Sequence, residues 1–167
     1  MISTEMINKV KDSMIDRVKE NFKKDGHIVP VAILLYEDGS GEAVATAFGS
    51  KEEREAFAES LRKRCAKKKP IVIALIEEAH SIRILNDRRA DYLDDKGYLR
   101  EGIDRPSKSA ESVDIIVISF ETPFTSEAVV IETSSVGGEH LIVDTVRKGS
   151  VEVGLFKDIL ARPTNHN

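Results

Sequence analysis

A chain of 167 residues, 41% hydrophobic and 32% charged, is about one domain's worth, with apolar side chains enough for a core and too many for a wholly disordered chain. A net charge of −4, 5% aromatic residues and no tryptophan argue against a basic-patch or base-stacking nucleic-acid binder. A single cysteine excludes an intrachain disulfide framework and any all-cysteine metal cluster.

The spacing of Ile7, Val10, Met14, Val18 and Phe22 predicts an amphipathic helix over 4–24. Asp25-Gly26 ends it, because glycine tolerates the left-handed conformation past a helix end. Residues 28–36 read as an apolar strand, with Pro30 near its start or at a sheet edge because it lacks an N–H. Glu37-Asp38-Gly39-Ser40-Gly41 turns the chain into a second strand over 42–48. Ser50-Lys51-Glu52-Glu53 then has the form of a capping box, in which the Ser50 hydroxyl and the Glu53 carboxylate satisfy each other's backbone N–H groups. Phe57, Leu61 and Cys65 follow at every fourth position, basic residues crowd the last turns, and Pro70 stops this helix. Residues 71–79 read as a short buried strand.

Residues 86–112 are polar, with Tyr92, Leu93, Tyr98 and Leu99 as their few apolar anchors, and predict a long mobile loop. Three more strands are expected over 113–121, 127–133 and 140–146, separated by turns at Thr122-Pro123 and Gly137-Gly138. Arg147-Lys148-Gly149-Ser150 reads as a further turn before Val151–Val153. Residues 155–161 read as a short C-terminal helix, and the chain from Pro163 on as a frayed tail. The sum is a single α+β domain over 1–167, a mainly antiparallel mixed sheet of about six strands with the N-terminal and central helices packed on one face. The helical crossover between 42–48 and 71–79 leaves room for one parallel pair.

Charge is unevenly spread. Residues 1–111 carry 21 basic and 21 acidic side chains, so the whole −4 falls on the strand-rich last third. An acidic strand face keeps a sheet soluble and blunts its edges. The longest apolar run, Ile71 to Ile76, is far too short to span a bilayer, and the charged N-terminus lacks the apolar region of a signal peptide. The expectation is a cytoplasmic protein without membrane contact.

The usual catalytic and nucleotide-binding signatures are missing: no H-E-x-x-H, C-x-x-C, G-x-S-x-G, P-loop or G-x-G-x-x-G occurs. Cys65 falls in the phase of Leu61, which makes it a core residue rather than a nucleophile. Lys67-Lys68-Lys69 suits a helix C-terminus. In Glu77-Glu78-Ala79-His80, strand alternation puts Glu78 and His80 on one face, as an acid–base pair or two metal ligands. Glu121, Glu132 and Asp114 are candidate third ligands, and His27 or His140 a second imidazole. Arg83 and Arg105 are candidate ligand-binding cations, since guanidinium groups grip phosphates and carboxylates in bidentate fashion.

The stretches Gly26-His27-Ile28-Val29-Pro30, Glu78-Ala79-His80, Arg105-Pro106 and Val113–Glu121 resemble small prokaryotic or phage α/β proteins that share a helix, a Gly-x-x-x-Pro strand entry, a hairpin and helix, and a strand ending in Glu-Ala-aromatic. His80 stands where an aromatic is expected, and the loop is longer. The element order also looks like the small dimerising modules of the roadblock type, an analogy of fold alone. The resemblance implies an architecture and no activity. The leading expectation is a non-enzymatic binding or interaction protein that forms a homo-oligomer, without metal or cofactor, with a possible protein partner at loop 86–112. The alternative is a metal-dependent hydrolase or nuclease using Glu78, His80 and Glu121.

Overall fold

The computed structural model describes residues 2–46, 49–82 and 112–149, and the side chains of residues 80–82, 112 and 149 fall outside that description. The elements are α1 (Thr4–Asp25), β1 (Val31–Leu35), β2 (Gly41–Ala45), α2 (Lys51–Lys67), β3 (Val72–Ile82), β4 (Ser112–Glu121), β5 (Ser126–Val136) and β6 (Glu139–Gly149). The expected loop over 86–112, apart from Ser112, lies outside the described residues, as do the expected strand 151–153, the helix 155–161 and the tail. None of the described helices is long and apolar enough to cross a membrane.

The six strands form one sheet in the order β2-β1-β3-β4-β5-β6. Every pairing is antiparallel. The anticipated room for a parallel pair is not used: β3 does not lie beside β2 but pairs with the free side of β1, Val31 opposite Ile76 and Leu35 opposite Val72. Pro30 therefore precedes an interior strand and is not an edge residue.

The helices lie on opposite faces of the sheet, not on one. Val72, Ala74 and Ile76 join the core cluster under α1, whereas the alternate residues Ile73 and Leu75 join Leu61 and Cys65 of α2. A strand buried on both sides is continuously apolar, which is why residues 71–76 show no alternation. On the α1 face, Ile116, Ile118 and Phe120 of β4 and Val129 and Ile131 of β5 complete the larger cluster. On the α2 face the cluster draws only on β1, β3 and the β1–β2 turn, through Ala32, Leu34, Ile73, Leu75 and Tyr36. Lys68 closes its edge with the ammonium 3.8 Å above the Tyr36 ring.

Both helix starts are capped by serine. Ser3 accepts from Met6 N–H, and Ser50 accepts from Glu53 N–H while Glu53 accepts from Gly49 N–H at 2.6 Å. The buried stripe of α1 is Ile7, Lys11, Ile15, Val18 and Phe22, a lysine included. Lys11 is 3% exposed. Its ammonium lies 3.0 Å from Glu127 of β5, 3.5 Å from the Thr125 hydroxyl and 5.7 Å from the Phe120 ring centre. Arg147 of β6 holds the other Glu127 oxygen at 2.5 Å and Asp12 of α1 at 2.7 Å. This chain of charges pins α1 to β5 and β6. β6 runs on through residues 147–149, where a turn was expected, with the Arg147 side chain tied to Glu127 and Asp12. The hairpin before β6 turns on Gly137 and Gly138, both at positive φ (61° and 82°), as a two-residue turn requires.

Burial works to raise the Glu127 carboxyl, but hydrogen bonds from Arg147 and Lys11 outweigh it and hold the group below the usual carboxylate range. The same contacts raise Arg147 further into its cationic range. A depressed folded-state value means the stabilisation is present above the ordinary glutamate value and is lost as pH falls through the folded one. Stability in urea is expected to fall as pH drops below about 4.3, and Glu127→Gln to flatten that fall. Glu127→Ala, which strands a buried ammonium, is expected to cost about 3–5 kcal/mol. Lys11→Met leaves Glu127 its Arg147 partner and should cost about 1–2 kcal/mol. Equal costs in urea titrations would contradict this account of the network.

Candidate functional site

The polar side chains on the α1 face gather where α1 ends. Gly26 terminates the helix at φ 75°, its N–H bonded to the Phe22 carbonyl. Beneath it lies the His140 imidazole of β6, which meets Phe22 edge-on with ring centres 5.9 Å apart and bonds the Ser135 hydroxyl through Nδ1 at 2.9 Å. A Cβ at position 26 would come within 2.4 Å of the imidazole, so glycine is required here by space as well as by φ. Two residues on, Ile28 N–H donates to the Glu78 carboxylate at 2.7 Å, tying the connection between α1 and β1 to β3.

Beyond this point β3 and β4 continue as a pair, with Glu78 opposite Ile116, His80 opposite Asp114 and Ile82 opposite Ser112. β5 adds Thr133 and Ser135. Phe22, Pro30, Glu78, Asp114, Thr133 and Ser135 line a cleft of about 480 Å³. The walls hold two carboxylates and two hydroxyls, with the imidazole at the rim. They are rich in hydrogen-bond acceptors, and one Glu78 oxygen is already committed to the backbone. Among the described residues, no three His, Cys, Asp or Glu side chains are grouped to hold a metal ion. The Ser135–His140 pair has the composition of a nucleophile and base. Among the described residues the imidazole donates no hydrogen bond to a carboxylate that would orient it, as such a pair needs.

The structure does not bring together Glu78 and Glu121 of the expected trio. Glu121 pairs with Ile73, five positions along β3 from Glu78, a separation of about 16 Å. It also lies on the α2 face, buried, where it accepts a short hydrogen bond from Ser126. Both displacements follow from strand geometry: Glu121 is at the far end of β4 and of opposite parity to Asp114. Glu132, opposite Ile115 and Asp144, is on that face too. Asp114 is the candidate third ligand that does share the cleft with Glu78, and His140 the imidazole beside it. His27 turns away and bonds the Asp25 carbonyl at 3.1 Å. The His80 side chain, Arg83 and Arg105 lie outside the described residues. Thr133 and Ser135 were not singled out by sequence, although the polar run Glu132-Thr133-Ser134-Ser135 closing an apolar strand was the signal for them.

Cys65 is buried under α2, and burial pushes its thiol up to about 11, which keeps it protonated and inert near neutral pH. No known protein family, curated protein or solved structure matches the chain.

Gly26→Ala is expected to cost about 1–2 kcal/mol from the left-handed backbone alone, plus the collision with the imidazole. In a His140→Ala background only the backbone part should remain. A double-mutant cycle by thermal denaturation measures the difference, and equal costs in both backgrounds would refute the close approach.

Proposed function

We propose that this chain is a non-catalytic interaction protein that self-associates through β6. The observation that carries this reading is the state of the sheet edge. Of the two edge strands among those described, β2 is five residues long, whereas β6 runs for eleven residues and presents Leu141, Val143 and Val146 to solvent at 46%, 53% and 43% exposure. A long apolar edge offers unpaired backbone groups together with surface that gains from burial, and natural sheets leave such edges open where another chain pairs with them. Val136 on the adjoining β5, 66% exposed, widens the patch. Identical edges meeting across a two-fold bury the same residues twice and close the assembly at two copies.

The cleft at the end of α1 lends no comparable support to catalysis. The expected hydrolase trio of Glu78, His80 and Glu121 does not assemble, because the two glutamates lie on opposite faces. The single buried cysteine is in keeping with the cytoplasmic setting expected from sequence.

Light scattering on the eluting protein at micromolar concentration is expected to give twice the chain mass of 18.5 kDa. Val146→Asp should return it to one chain mass while the circular dichroism spectrum stays that of wild type. A monomeric wild-type protein overturns the reading.

A further inference from the structure

The residues of β6 carry more than an exposed edge; their order along the strand selects a partner and a register. The β5–β6 pairing slips between Glu132 and Thr133: Glu132 faces Asp144, but Thr133 faces Ile142, leaving Val143 as the extra residue of a β-bulge. The bulge switches which β6 positions point to which side. Before it, Glu139 and Leu141 lie opposite Val136 and Ser134; after it, Asp144, Val146 and Lys148 lie opposite Glu132, Val130 and Ala128. All of these belong to the sheet face away from α1. His140, Ile142, Thr145 and Arg147 belong to the α1 face, as the contacts of His140 with Phe22 and of Arg147 with Asp12 require.

On the face away from α1, β6 therefore reads acid, apolar, bulge, apolar, base: Glu139, Leu141, Val143-Asp144, Val146, Lys148. That order is self-complementary when reversed. We infer that the partner at this edge is the β6 of a second copy, antiparallel and centred between Val143 and Asp144, with Glu139 opposite the partner's Lys148 and Leu141 opposite the partner's Val146. The inference rests on the self-association proposed above and adds its register and orientation.

Three features favour this alignment over its neighbours. It sets residues of the same face against each other, and a slip by one would place Leu141 against a residue of the α1 face. It brings Leu141 and Val146 into directly opposed cross-strand pairs and places an opposite-charge pair at each end. It puts the bulges of the two strands side by side at the two-fold, so that the regular stretches 139–142 and 145–148 pair with each other without interruption. A parallel arrangement would instead set Glu139 beside the partner's Glu139 and Lys148 beside the partner's Lys148. The two Asp144 carboxylates stand diagonally across the centre, so the end pairs supply the electrostatic attraction.

The apolar cluster around α2 includes residues of β1 and β3 and none of β4, β5 or β6. The second copy adds its own β6 beside this one and turns two six-stranded sheets into one of twelve.

The experiment is a charge exchange at the ends of β6 in the full-length chain. Glu139→Lys and Lys148→Glu each replace two attractive pairs per dimer with two repulsive ones and should each weaken dimerisation about tenfold in sedimentation equilibrium. The double exchange E139K/K148E restores both pairs and should return the affinity to within about threefold of wild type. Both sites are exposed, so folding is left intact. Cross-linking reads the same register independently: mixed Leu141→Cys and Val146→Cys chains should form a disulfide-linked heterodimer under mild oxidation, and neither variant alone should cross-link. A dimeric wild type whose affinity ignores the single exchanges, or a Leu141→Cys chain that links to itself, overturns the register and leaves self-association standing. A wild-type protein that stays monomeric at micromolar concentration overturns both.

Discussion

A lysine ammonium held out of water between a helix and a sheet is the constraint on which the rest of this architecture turns. Desolvating Lys11 is unfavourable unless an anion meets it, and Glu127 does so from β5. Glu127 is in turn shared with Arg147 of β6, which also reaches Asp12 on the turn of α1 beside Lys11. Four charges of alternating sign thus join α1 to the β5–β6 hairpin, which is distant from it in sequence. Apolar contacts supply most of the attraction between α1 and the sheet but allow it to slide. The charge chain fixes one position, since any other leaves a buried charge unmatched. At the other end of α1, Gly26 seats against His140, and the Phe22 ring meets the same imidazole. Both ends of the helix are thereby registered against β6.

The sheet divides its two faces unequally. α1 lies over the centre and the β6 side of one face. α2 lies over β1 and β3 on the other and is tied to β2 by the Arg64–Glu42 pair at 3.1 Å. The two helices thus sit on opposite faces and toward opposite edges. β3, buried on both sides, is the strand they share. β6 is covered on one side by α1 and on the other by no described residue of the α2 cluster. A rigid exposed edge loses little conformational freedom on pairing.

The cleft at the end of α1 gathers polar residues that hold the chain in place. Glu78 holds Ile28 N–H where the chain passes from α1 to β1, and Ser135 holds the imidazole on which Gly26 rests. These bonds define where α1 ends and β1 begins. Asp114 and Thr133 share the opening because they occupy the same end and face of adjacent strands.

Much of the fold was legible locally. The Ser50 cap, the Gly26 stop, the Gly137-Gly138 turn and all six strands follow from residue type and spacing, because caps, turns and periodicity act within a few residues. Three things depended on distant partners. The stripe Ile7, Val10, Met14, Val18, Phe22 missed Lys11 and Ile15, since a lysine counts as buried only once Glu127 is known to face it. The helices were expected on one face, since a strand such as 71–76 is equally apolar whether one helix or two cover it. Glu78 and Glu121 were expected to converge, since alternation tells the faces within one strand and not the register between two. The amino-acid sequence by itself determined the two described helices and six strands and placed the Ser50 cap, the Gly26 stop and the Gly137-Gly138 turn. Only the tertiary structure decided which faces meet, where the charges of Lys11 and Arg147 are neutralised, and that β6, with its bulge and its acid-to-base order, is an edge strand among those described. Pairing between strands is set by contacts across the whole chain, and no local window contains them.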